Sequence, residues 1–249
     1  MTHLRTFLLL LVAMLPVCCT DSAPAKLRIG LSAWPGYLDL AVADEQGFFA
    51  AEGLDVQLVE FASLHEIARA YQLGQIDVMT GTLIEVLQVS HGARPVEIAW
   101  VVDVSNGADV AVARGRQGDL PSSGGATTLR DARIAYEPNS LGAYMLERML
   151  AHTGLTQDDV EPVGMDQLEM VDAMLEQRID VAITYPPTSI ALLNLPHTKV
   201  IFSSAQIPDE VIDVISIDPT LLDADPTLLD RFYAAMARAE THVADDPES

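Results

Sequence analysis

Beyond position 19 the chain has no cysteine: its two, Cys18 and Cys19, stand side by side. That excludes disulfides and thiolate metal sites from the folded part. It has two lysines, Lys26 and Lys199, and neither falls on a loop expected to face a cleft, which argues against Schiff-base chemistry. The six histidines are scattered without metal-ligand spacing. No Gly-x-Ser-x-Gly elbow, phosphate-binding Gly-x4-Gly-Lys loop or dinucleotide fingerprint is present. No catalytic constellation, cofactor or metal is therefore expected, and the chain reads as a non-enzyme.

Basic residues are scarce as well, 14 Lys+Arg against 36 Asp+Glu. Residues 1–19 hold one basic and no acidic residue, so the remainder carries 13 against 36, a formal charge of −23. Such a surface repels nucleic acid and anionic headgroups, and only a lipid anchor would hold it at a membrane. The N-terminus offers one: Arg5, then an apolar run from Phe7 to Leu15 too short to span a bilayer, then "LPVCCT". We read residues 1–19 as a lipoprotein-like signal peptide with Cys18 or Cys19 as the lipidated residue, plain secretion being the alternative. "TDSAPA" (residues 20–25) follows as a tether.

From Lys26 onward, strand-like and helical stretches alternate, which predicts parallel βαβ units. Strands are expected at 26–32, 54–61, 76–81, 96–103, 108–113, 133–137, 179–185 and 211–218. Helices are expected at 37–46, 64–73, 83–91, 140–152, up to Arg178, and at 227–243. The second half repeats the first. "AYQLGQIDV" from Ala70 matches "AMLEQRIDV" from Ala173, and "RIG" at Arg28 matches "RIA" at Arg133. In each copy the aspartate, Asp77 or Asp180, is expected to bond the turn backbone. Met145/Met149 and Met170/Met174 have i, i+4 spacing and read as core filler. Two similar lobes follow, 26–107 with 212–249 and 108–211. The strands at 108–113 and 211–218 carry the chain across a hinge, and a ligand cleft lies at the carboxyl ends of the parallel strands.

With that organisation in place, five stretches in order carry a resemblance: "WPGY…GFFAAEGLDVQLVEF", "LGQIDVMTGTLIEVL", "DVSNGADVAVA", "YEPNSLGAYMLERML" and "IPDEVIDV". Together they resemble the substrate-binding proteins of ABC importers grouped with nitrate, sulfonate, taurine and thiamine-pyrimidine receptors. The resemblance runs from about Lys26 to the C-terminus. It implies an α/β, two-lobed periplasmic-binding-protein fold of type II. It also implies an extracytoplasmic, monomeric protein whose partners are a small-molecule ligand and the importer's permease and ATPase subunits. Family members continue with further helices, so the chain is expected to be truncated at its C-terminus. Pro186 stands where the family pattern has an acidic residue.

The expected cleft loops supply the candidate ligand-binding residues: Trp34, Tyr37, Thr82, Glu85, Asp103, Ser105, Asn106, Glu137, Ser140 and Tyr185. None of these loops contains Lys or Arg. An unpaired buried charge is costly, so carboxylates beside aromatic rings suit a cationic or amino-heterocyclic ligand, one resembling a thiamine precursor. Trp34 and Tyr185 would stack on it, and Glu137 or Asp103 would pair with it. Against this stands the helix expected to start at Asn139-Ser140, whose terminus suits an anion. A sulfonate, taurine or nitrate receptor is therefore the alternative, and a thiamine-pyrimidine-synthase-like enzyme a more distant one. Each residue also has a plainer role: Thr82 as helix cap, Glu85 as first-turn carboxylate, Asn106-Gly107 as a turn, Trp34 as rim packing.

Overall fold

The computed structural model describes residues 26–115 and 129–245. The signal segment with Cys18 and Cys19, and most of the expected loop at 114–128, lie outside the described residues.

The chain forms two five-stranded sheets. The first contains β1 (Leu27–Leu31), β2 (Val56–Glu60), β3 (Val78–Thr82), β4 (Glu97–Val104) and β10 (Ile212–Ile217), in the order β2-β1-β3-β10-β4. The second contains β5 (Val110–Arg114), β6 (Arg133–Tyr136), β7 (Glu161–Gly164), β8 (Val181–Thr184) and β9 (Thr198–Ser203), in the order β7-β6-β8-β5-β9. Four strands of each sheet run in one direction, and the fourth in spatial order runs against its two neighbours. That fourth strand is β10 or β5, each of which enters its sheet from the other lobe. The two topologies are the same, as the repeated motifs predict.

The repeat has a physical basis that differs from the expected one. Arg28, opening β1, donates its backbone N–H and guanidinium to Asp77 at 3.0, 2.8 and 2.7 Å. Arg133, opening β6, binds Asp180 in the same way at 3.0, 2.9 and 2.8 Å. The aspartates therefore tie the start of one parallel strand to the start of its neighbour instead of bracing the turn. A bidentate guanidinium fork accounts for both "RI" and "IDV" in the repeat.

Nine helices cover the sheets among the described residues: α1 (Leu38–Glu45), α2 (Phe48–Ala51), α3 (Leu64–Gln72), α4 (Leu83–Ser90), α5 (Leu141–Thr153), α6 (Gln167–Leu175), α7 (Thr188–Leu193), α8 (Pro219–Ala224) and α9 (Leu228–Asp245). The core of the first lobe joins Ile29, Val78, Ile215 and Ile217 to α1, α2 and α9, with Phe49 stacked on Phe232 at 5.7 Å. In the second, Val110, Val112 and Ala182 pack against Met170 and Met174. Met145 and Met149 are fully buried too, so all four methionines are core. Burying each such side chain is worth roughly 1.5–3 kcal/mol. No helix among the described residues is long and apolar enough to cross a membrane.

The hinge is bonded across its two crossings. The Ser105 N–H donates to the Val211 carbonyl at 2.9 Å, and its hydroxyl meets that of Ser204 at 2.9 Å. Gly107 N–H also donates to the Ser204 hydroxyl, at 2.7 Å.

Candidate functional site

The parallel strands of both sheets point their carboxyl ends at one interlobe seam. β1 delivers Ser32 and Trp34, β3 delivers Thr80 and Thr82, β6 delivers Glu137, and β8 delivers Thr184 and Tyr185. The hinge adds Asp109, and β10 adds Asp213. Of the expected site residues, Trp34, Thr82, Glu137 and Tyr185 line this seam, with Asp109 and Asp213 beside them. Tyr37, Glu85, Asp103 and Ser140 stand behind the lining and bond to it or to each other. Ser105 is taken up by the hinge bonds described above. Asn106 is exposed and not brought to the seam.

Trp34 and Tyr185 meet edge to face across the seam, ring centroids 6.1 Å apart at 85°. The indole N–H of Trp34 donates to Asp103 at 3.2 Å, fixing the ring in place. Gly36 makes room for that bond: a Cβ there would lie 2.3 Å from Asp103 Oδ2 and 2.6 Å from Trp34 Nε1. Tyr37 is buried and donates to Asp213 at 3.0 Å, so it braces an acid and does not face the cleft as a ring.

The acids set the character of the site. Glu85, Asp109, Glu137 and Asp213 are all buried. Glu85 is fully satisfied: one oxygen accepts from Thr82 N–H and hydroxyl at 2.9 and 2.6 Å. The other accepts from Ser140 hydroxyl and Leu141 N–H, on the opposite lobe, at 2.9 and 2.7 Å. Glu137 is the reverse case: neither carboxylate oxygen has a well-formed hydrogen bond, and only the Ser63 hydroxyl and the His65 imidazole favour its ionised form. Oδ2 of Asp109 and the Tyr185 hydroxyl also lack a well-formed bond. Desolvation, together with neighbouring carboxylates, pushes Asp213 up to about 8 and Asp109 up to about 6. The Glu137 carboxyl is raised too, first by burial and then by the charge of Glu85. No Lys or Arg lines the seam. Among the described residues there is no cluster of three or more His, Cys, Asp or Glu side chains suited to a metal ion.

Two small adjoining cavities mark where the lobes meet. Both are bounded by Asp109, Leu141 and Tyr185; one also touches Glu137, Gln167 and Thr184, the other Trp34 and Asp213. Each has a volume of about 10 Å³, room for roughly one water molecule. The lobes are closed on one another, and anything larger enters only when they part. Gln167, buried and accepting a bond from Thr184, is a lining residue that the sequence reading missed. It sits at the start of α6, where a lone glutamine carries no pattern that marks it as buried. Asp109 is likewise absent from the expected site residues, because burial cannot be read from spacing.

Two α/β lobes of like topology, joined by two crossings and meeting at the carboxyl ends of their parallel strands, define a periplasmic-binding-protein fold of type II. Residues 34–249 match the family described as NMT1/THI5 like, and the chain belongs to that family. Solved structures of similar fold include the alkanesulfonate-binding protein SsuA of Xanthomonas axonopodis pv. citri bound to MOPS. It shares 18% identity at a TM-score of 0.75, with 91% of this chain and 76% of that one covered. The periplasmic nitrate-binding protein NrtA of Synechocystis PCC 6803 aligns at 17% identity and a TM-score of 0.74, covering 87% of this chain and 61% of that one. At such identities the likeness establishes the fold. In sequence, the nitrate import ATP-binding protein NrtC of Synechococcus elongatus is 31% identical over 171 residues, 64% of this chain. The chain spans about a quarter of that relative's length, 26%.

Proposed function

We propose that this protein is the extracytoplasmic solute-binding component of an ABC importer and that it captures a small cationic or amino-heterocyclic ligand between its lobes. The fold and the family support the first half, since the structures it resembles are binding proteins. In this reading the lobes are 26–107 with 212–249 and 108–211, and they part about the Ser105–Ser204 hinge to admit the ligand. The closed form then docks on a permease–ATPase pair, and a lipid on Cys18 or Cys19 keeps the protein at the membrane.

One observation carries the choice of ligand. Glu137 and Asp109 present buried carboxylate oxygens without well-formed hydrogen bonds to a seam that no Lys or Arg lines, the Ser63 hydroxyl and the His65 imidazole being the groups that favour ionised Glu137. A buried unpaired acceptor costs about 1–3 kcal/mol, and a charged one more. A protonated amine or amino-heterocycle supplies both the N–H donors and the charge, while Trp34 and Tyr185 give it aromatic faces worth about 0.5–2 kcal/mol each. A ring such as a thiamine-precursor pyrimidine fits both features.

The anion alternative draws support from the similar structures, whose names specify alkanesulfonate and nitrate, and from the terminus of α5 at the seam. That terminus, however, is already bonded to Glu85. Equilibrium titration with a protonated aminopyrimidine and with methanesulfonate separates the two readings: the proposal expects binding of the first and none of the second.

A further inference from the structure

The fold accommodates oxyanions in some of its members, so the sign of the ligand must be decided by side chains. α5 is the element to examine, because the first turn of this 13-residue helix meets the interlobe seam, where Leu141 and Gly142 line the cavity. Its N-cap residue Ser140 makes no capping bond to its own helix. Instead, the Ser140 hydroxyl and the first helical N–H, that of Leu141, both donate to Glu85 Oε1, which comes from the other lobe. Beside this contact, Glu137 stands 97% buried with neither oxygen in a well-formed hydrogen bond, lining the cavity that also touches Leu141 and Gly142.

Glu85 reaches this position by a local device. It is the third residue of α4, and a capping box with Thr82 fixes its carboxylate: Oε2 takes the Thr82 N–H and hydroxyl. One oxygen thus serves α4 and leaves the other free to cross the seam. Four donors on one buried carboxylate fill its hydrogen-bonding capacity.

We propose that Glu85 determines the sign of the ligand: it is a tethered carboxylate that fills the anion-binding terminus of α5 and thereby bars oxyanions from the cleft. This deepens the reading of the seam as the ligand site and rests on it. Because Glu85 is part of the chain, its effective concentration at the terminus is high, and a free oxyanion must displace it to bind. The same contact draws the lobes together, so a cation entering next to Glu137 and Asp109 finds the terminus already neutralised.

The test uses two variants of the protein. Glu85→Ala removes an acetate-sized piece of side chain and leaves the Ser140, Leu141 and Thr82 donors in place. Glu85→Gln keeps the shape and fills the same space, although its amide NH2 sets a donor against one pair of donors and loses those two bonds. Calorimetric titration with acetate and with methanesulfonate is expected to show at least tenfold tighter binding to the alanine variant than to the wild type. The glutamine variant should gain nothing. A folded alanine variant that binds neither anion more tightly overturns the proposal, as does wild-type protein binding methanesulfonate equally well. Should the alanine variant fail to fold, about 100 mM acetate must restore its folding by mass action, and failure to do so also overturns the proposal. The outcomes separate from those of the parent reading. Amine binding by the wild type with no anion gain in the alanine variant refutes only the role of Glu85. Anion gain with no amine binding refutes only the cation.

Discussion

Three acids at the seam set up a conflict between binding and stability. Glu137, Asp109 and Asp213 are buried, and burial raises all three carboxyls. For Asp213 the folded value of about 8 exceeds the ordinary 3.8. Between those values the native protein holds a proton that the unfolded chain has lost, so stability falls as pH rises from about 4 to 8. Asp109, at about 6, adds to the fall over the lower part of that window. Thermal unfolding measured from pH 5 to pH 8.5 should therefore show a declining Tm, and Asp213→Asn should flatten the decline. An unchanged slope would show that Asp213 titrates normally. A cation favours the ionised acids, so its affinity should rise over the same window with release of protons. Glu137→Gln removes a buried acid without a well-formed hydrogen bond. We expect it to weaken a cationic ligand by at least tenfold, about 1.4 kcal/mol, while leaving Tm unchanged or higher. A lower Tm with unchanged affinity would place Glu137 in the structure and outside the site.

At the scale of elements, the two lobes repeat one clamp with unequal surroundings. The Asp77 side chain is 13% exposed and has Arg94 at 3.8 Å in addition to Arg28. The Asp180 side chain, bonded to Arg133, is 39% exposed. Solvent screening discounts the second pair, so Asp77→Ala should cost about 2–3 kcal/mol and Asp180→Ala about 1 or less, as measured by denaturant unfolding. Equal costs would contradict the burial argument. The same clamp shows how much the sequence disclosed. "RI" and "IDV" recurred at nearly one spacing, and with hydrophobic runs bounded by turns this was enough to place the central strands, both crossing strands β5 and β10, and the order of most helices. The strands missed were β7 and β9, the two edges of the second sheet. Edge strands tolerate Pro162 and Gly164, or polar flanks such as Thr198 and Lys199, and so lack the continuous apolar signature of a buried strand. Cleft loops were legible because they follow parallel strands. That Tyr37 would brace Asp213, or Ser105 bond Ser204, depended on contacts 176 and 99 residues apart, which no local pattern records.

Over the whole molecule, two closed lobes in a chain of net charge −22, with no Lys or Arg lining their seam, underlie the central proposal that the ligand carries positive charge. The acids at the seam favour a cation, whereas structures of similar fold are named for alkanesulfonate and for nitrate. The most direct measurement is thermal unfolding of the wild-type protein at pH 7.5 against protonated amines, an aminopyrimidine (neutral in solution at this pH and able to take a proton from the buried acids), methanesulfonate, taurine and nitrate. A ligand at 100 times its Kd adds about 2.7 kcal/mol, which raises Tm by roughly 5–10 °C for a chain of this size. The account predicts such a shift with an amine or the aminopyrimidine and none with the oxyanions. A shift with methanesulfonate or nitrate alone would contradict it.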